Sequence, residues 1–130
     1  GIAKKLQSQG IAKFYLVGGS YEPINDSFSG TLAITALRSL SFDVAFICCS
    51  AIDVERRSIS MASEAYSQVQ KEVMSNSAKI CVIADSSKIK PSAFIQTATF
   101  SQISGIITNS EASQDDLDLL GQCDLELLLA

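Results

Sequence analysis

Residues 80–84, Ile-Cys-Val-Ile-Ala, form an unbroken apolar run that gives way at once to Asp85-Ser86-Ser87-Lys88. A strand with one wet face alternates apolar and polar side chains. An uninterrupted run fits a strand buried on both faces, as in a parallel sheet. In open α/β sheets, ligands bind just outside the carboxyl ends of the strands. A Ser-Ser-Lys loop at such an end offers an anion two hydroxyls, backbone N–H groups and one ammonium. The same four residues also read as a plain turn with a solvated lysine, and spacing alone leaves both readings open.

Other stretches repeat the theme. Val44 to Cys49 is a second apolar strand and ends at Ser50-Ala51-Ile52-Asp53. Phe14 to Val17 reads as a third and stops at Gly18-Gly19-Ser20. Two glycines there permit positive φ and close backbone approach to a ligand, or simply a tight turn. Ile106-Ile107 and Leu125 to Leu129 read as further strands. Apolar residues at spacings of three and four predict helices over Gly30–Leu40 (Ala33, Ala36, Leu37, Leu40) and Ser60–Ser75 (Ala62, Ala65, Val69, Val73). Ile2 to Gln9 is a short helix closed by Gly10, and Ser110 to Gln122 another, with Ser113 as its cap ahead of Asp115 and Asp116. Tyr21 to Ser29 reads as an irregular loop or short edge strand, and Ala93 to Phe100 as a short strand or helix. The loop from Ser50 continues through Glu55, Arg56 and Arg57, and solvation is the favoured reading of the arginine pair.

Strand and helix thus alternate. The expected class is α/β, a mostly parallel sheet with helices on both faces. Three polar clusters then fall on one rim. The candidate ligand contacts are Gly18, Gly19, Ser50, Asp85, Ser87 and Lys88. Gly and Ser would supply N–H and O–H donors, Lys88 charge, and Asp85 an acceptor for a ligand or for Lys88 itself.

Composition narrows the function. With 130 residues the chain is a single domain. Its net charge of −4 opposes nucleic acid, so contact with DNA would need another segment. There is no histidine, which removes the commonest general base and metal ligand. Cys48, Cys49, Cys81 and Cys123 include no CxxC pair. Neighbours in a strand point to opposite faces, so Cys48 and Cys49 are poor disulfide partners. Reduced thiols in a cytoplasmic protein without metal or cofactor are the expectation, and no membrane-length run appears. An isomerase or deaminase would need a positioned base, and Asp85 is the acid at a strand end with a cation close by. An oligomerisation role would use Phe94, Phe100 and the Leu127–Leu129 tail.

The order Leu16-Val17-Gly18-Gly19, Gly30, Asp43-Val44-Ala45-Phe46, Ala84-Asp85-Ser86-Ser87-Lys88 and Ile106-Ile107-Thr108-Asn109 resembles the C-terminal sensor domain of DeoR-type transcriptional repressors. The resemblance covers nearly the whole chain, and the Asp-Ser-Ser-Lys element is its most specific part. It implies a fold like ribose-5-phosphate isomerase, related sugar-phosphate enzymes and CoA transferases. It implies a phosphorylated sugar as effector, no enzymatic activity and a homo-oligomer. DNA would be bound through a separate N-terminal helix-turn-helix, and this chain would be the C-terminal part of an effector-sensing domain. The family's sensor usually begins earlier, with a strand, a Ser/Thr-rich loop and a Thr-Asn-Ser strand end. This chain also departs from the pattern within. Ser50-Ala51 stands for a usual Ser-Gly, Arg57 lies near a usual glycine, Tyr66 near a usual glutamate, and Asn109 replaces a final aspartate.

Overall fold

The computed structural model describes residues 2–10 and 13–130. In chain order the elements are α1 (Ile2–Ser8), β1 (Ser20–Glu22), β2 (Ser27–Ser29), α2 (Gly30–Leu37), β3 (Phe42–Ile47), β4 (Ala51–Asp53), β5 (Ser58–Met61), α3 (Glu64–Ser75), β6 (Ser77–Ile83), β7 (Ile95–Thr99), β8 (Gly105–Thr108), α4 (Gln114–Gly121) and β9 (Glu126–Leu129). Short 3-10 turns cover Ser86–Lys88 and Phe100–Gln102.

The centre is a four-stranded sheet in the order β3-β6-β8-β9, parallel throughout. The apolar runs at 44–49 and 80–84 supply its two longest strands, as expected. Helices flank it, which gives the α/β class. One face carries Ala45, Ile47, Ile80, Val82 and Ile106. These pack in one continuous cluster with Met74 of α3, Leu120 of α4, and Ile52, Ile59 and Ala98 of a second sheet. That second sheet is antiparallel, in the order β4-β5-β7.

The opposite face differs from expectation. Side chains alternate along a strand, and paired residues in neighbouring strands share a face. Ile83 pairs with Ile107 and Ile107 with Leu128, while Phe46 pairs with Cys81. Val44, Phe46, Ile83 and Leu128 on this side are exposed. Among the described residues, helices therefore cover one face of the parallel sheet rather than two. β3 has β6 as its sole described neighbour, and its other edge is unpaired.

Three local expectations also change. Phe14 to Val17 is not a strand; Phe14, Tyr15 and Leu16 are exposed. A strand exists by pairing its backbone groups, and no described strand lies alongside this one. The chain instead runs into the β1–β2 hairpin, where Tyr21 and Phe28 bring their rings to 5.6 Å. Residues 51–61, expected as loop and helix start, form the β4–β5 hairpin, which delays α3 to Glu64. Its turn holds Arg57 at φ 50°, a left-handed conformation usually left to glycine. Nothing in the local residues advertised that turn. α2 stops at Leu37, where the Asn76 side-chain amide donates to the Leu37 carbonyl at 3.0 Å. Elsewhere the signals read true. Ser113 caps α4 by accepting from the Asp116 amide at 3.1 Å, and Gly10 follows α1 with φ 71°.

Candidate functional site

Parallel pairing aligns the carboxyl ends of the strands. Ile47 sits beside Val82 and Ile83 beside Ile107, and the Ala84 amide donates to the Ile107 carbonyl at 3.1 Å. Beyond those ends lie Cys48 to Ser50, Ala84 to Lys88, and Thr108 with Asn109. The chain after β3 and the chain after β6 then run together. Ile52 bridges Ile89, and the Lys90 amide donates to the Ile52 carbonyl at 3.0 Å. Ser50, Asp85, Ser87 and Lys88 therefore share one rim.

Cys49 reports the electrostatics of this rim. Burial pushes its thiol up to about 12 and the neighbouring Cys48 adds to the rise, while the Lys88 ammonium pulls it back. The adjacent cysteines face opposite ways, Cys48 exposed and Cys49 buried, and both are free thiols.

Asp85 caps the 3-10 turn Ser86–Lys88 by accepting from the Ser87 amide at 2.9 Å. The Ser87 side chain and amide hold its carboxyl below the ordinary aspartate range, with a smaller contribution from Lys88. The Lys88 amide donates to the Asp85 carbonyl at 3.0 Å, and the Ser86 amide donates to Asn109 Oδ1 at 2.6 Å. All three backbone N–H groups of the turn are thus occupied, and they are not the anion donors that the sequence suggested. What the turn leaves for a ligand is the Lys88 ammonium, which makes no salt bridge among the described residues, and the Ser86 hydroxyl. Ser50 Oγ accepts from the Ala62 amide at 3.0 Å, which ties β3's end to the end of β5, and its O–H donates to Met61 Sδ at 3.9 Å.

Gly18 and Gly19 stand apart from this set, because the segment before them is not a strand of the sheet. A Cβ at Gly19 would collide with the Ser29 carbonyl oxygen and come within 3.0 Å of Ala33 Cβ. Its bareness lets the chain lie against β2 and α2, which accounts for the glycine without a ligand. A Cβ at Gly18 would meet open space.

Two residues matter more than the sequence indicated. Asn109 joins the ends of β6 and β8, accepting from Ser86 and donating to Glu111 Oε2 at 3.0 Å. A carboxylate there could accept but not donate, so the amide serves both partners. Asp53 is buried, and its carboxylate takes three donors: Arg56 N at 3.0 Å, Ser92 N at 2.9 Å and Ser92 Oγ at 2.7 Å. The Arg56 amide and the Ser92 hydroxyl hold its carboxyl below the ordinary range. Only an acid three residues before Arg56 hinted at this role. Phe100, a candidate for a subunit contact, lies instead in the core, while Phe94 is exposed.

A concavity of about 760 Å³ lies elsewhere. It lies between α1, residues 16–17, the β1–β2 hairpin and the Leu37, Val69 and Val73 side of α2 and α3. None of the six candidate residues lines it. It is mainly apolar, with Lys4 as its one cation, a poor match to a phosphate. Among the described residues no cluster of His, Cys, Asp or Glu could hold a metal ion, and no helix is long and apolar enough to cross a membrane.

Comparison with known proteins agrees with the family resemblance. The chain is 33% identical over 96 residues to the transcriptional repressor AccR of Agrobacterium fabrum, covering 74% of this chain and 37% of that protein. It is 28% identical over 117 residues to the HTH-type transcriptional repressor GlcR of Bacillus subtilis, covering 90% and 45%. It is 27% identical over 124 residues to the putative aga operon transcriptional repressor of Escherichia coli O157:H7, covering 95% and 45%. The chain thus spans less than half the length of these relatives. The family described as DeoR C terminal sensor domain matches residues 1–110. With that match over most of its length, the chain belongs to the DeoR family of transcriptional repressors, as a C-terminal sensor domain.

Proposed function

We propose that this domain senses a phosphorylated sugar, which binds at the rim where β3 and β6 end, and that it has no catalytic role. The observation that carries this reading is the shared rim of Ser50 and Asp85–Lys88, with an ammonium that no described carboxylate engages. Lys88 meets the phosphoryl group, the Ser86 hydroxyl and, on leaving its long contact with Met61 Sδ, the Ser50 hydroxyl add donors, and the ionised Asp85 accepts from sugar hydroxyls while fixing the turn.

Signal transfer follows from linkage. A ligand that prefers one conformation of the domain shifts the affinity of an attached DNA-binding segment by the same coupling free energy, on the order of 1–3 kcal/mol. The acidic balance of this chain opposes direct contact with DNA, so in this reading DNA contact falls to a separate segment. The relatives' names, repressors all, fit that division.

Calorimetric titration with a panel of sugar phosphates, their unphosphorylated sugars and inorganic phosphate tests the reading. Phosphorylated sugars bind and the free sugars do not. Lys88→Ala weakens binding by roughly tenfold or more, the scale of a charge-assisted hydrogen bond. Binding that ignores the phosphoryl group, or survives Lys88→Ala unchanged, refutes it.

A further inference from the structure

Lys88 lies in a loop held at both ends. Upstream, the Ser86 amide is fixed to Asn109 Oδ1 at 2.6 Å. Downstream, the Lys90 amide donates to the Ile52 carbonyl at 3.0 Å, and the Ala93 amide donates to Ser60 Oγ at 2.7 Å. Between those two, Ser92 gives both its amide and its hydroxyl to one oxygen of Asp53. Every downstream anchor belongs to the β4–β5 hairpin.

A backbone carbonyl or a serine hydroxyl could satisfy any one of these donors. Burying a carboxylate is expensive unless it is well satisfied. Asp53 is 6% exposed and gathers three donors, two of them from the residue four positions after Lys88. A charged acceptor binds such donors about twice as strongly as a neutral one. The chain therefore spends a buried charge on holding this particular loop. Fixing a loop in its binding geometry before the ligand arrives lowers the ordering cost of binding.

We propose that Asp53 is a positioning residue for the ligand site: it clasps the loop through Ser92 and so sets the place of the Lys88 ammonium. This rests on the rim being the phosphate site. Asp53 touches no ligand itself; it acts through Lys88.

The test uses the chain with ribose 5-phosphate and inorganic phosphate as probes, and five proteins: wild type, Asp53→Asn, Ser92→Ala, Lys88→Ala and the Asp53→Asn, Lys88→Ala double variant. The near-isosteric Asp53→Asn removes the charge and turns an amide toward donors. Ser92→Ala, which keeps the amide bond, is the milder second variant. Hydrogen exchange at the Ser92 and Ala93 amides rises in Asp53→Asn and less in Ser92→Ala. Affinity falls roughly tenfold in Asp53→Asn, the scale of losing an orienting partner. The double variant binds no more weakly than Lys88→Ala alone, because a residue acting through Lys88 has nothing left to position. A merely structural role would lower affinity additively, and that result overturns the proposal. So does unchanged exchange in both variants, or unchanged affinity in Asp53→Asn. If wild type binds neither probe nor any sugar phosphate of the panel, the rim reading itself fails. Wild-type binding with an unaffected Asp53→Asn discards Asp53 alone.

Discussion

The two faces of the parallel sheet are built from the same kind of residue and live in different surroundings. Along β6, Val82 is fully buried while its neighbour Ile83 is 43% exposed. Along β3, Ile47 lies in the core while Phe46 is 63% exposed. The core face meets α3, α4 and the antiparallel sheet; the other meets no described helix. An apolar run records that both faces suit an apolar environment. Whether both receive one depends on what the rest of the polypeptide brings. Burial, not residue type, decides how much each side chain contributes to stability.

The largest test of that contrast is Ile106→Ala. Ile106 is fully buried at the centre of the core cluster, so truncation should cost about 2–5 kcal/mol in urea unfolding. A loss below about 1 kcal/mol would mean the packed face is looser than described. Gly105→Ala comes next. It lies in the row of Cys81 and Glu126, and a Cβ there would stand 2.7 Å from the Glu126 carbonyl oxygen. Because the obstacle is backbone, β9 must shift, at a cost of about 1–3 kcal/mol. Gly18→Ala, in open space, is the matched control and should be near neutral.

An acid titration of stability follows. Asp53 has its folded pKa depressed, so its contribution is complete above the unfolded aspartate range and is lost as pH falls through the lower folded value. Wild type should lose stability below about pH 4, and Asp53→Asn should flatten that part of the curve. Parallel curves would assign the acid sensitivity elsewhere. The smallest effect is expected from Phe46→Ala on the uncovered face, under about 1 kcal/mol, since little area leaves water there. A loss like that of Ile106→Ala would mean the face is covered in solution.

Much of this architecture could be read from the residues. The 80–84 run, the Ser113 cap and Gly10 each carry a local rule that tertiary packing left intact. The β4–β5 hairpin escaped notice because its turn places Arg57, not glycine, in the left-handed region. Phe14 to Val17 has strand composition and no strand, since pairing is a property of neighbours rather than of a tetrapeptide. At the candidate site, the meeting of Ser50 with Asp85–Lys88 was foreseen from the strand ends. The closure of the Ser87 and Lys88 amides on Asp85 belongs to the plain-turn reading of the same residues, whereas the tie from Ser86 to Asn109 was not legible, because a hydrogen-bond partner distant in sequence leaves no periodic trace.

The margin of β3 that no described strand pairs has a practical outcome. Its outward amides and carbonyls form a ready template on which another extended chain can add. In concentrated solution the isolated domain is therefore expected to self-associate along that side. Light scattering that climbs with protein concentration, and eases when a proline replaces Asp43, whose amide faces away from β6, would be the laboratory sign of that adhesive seam.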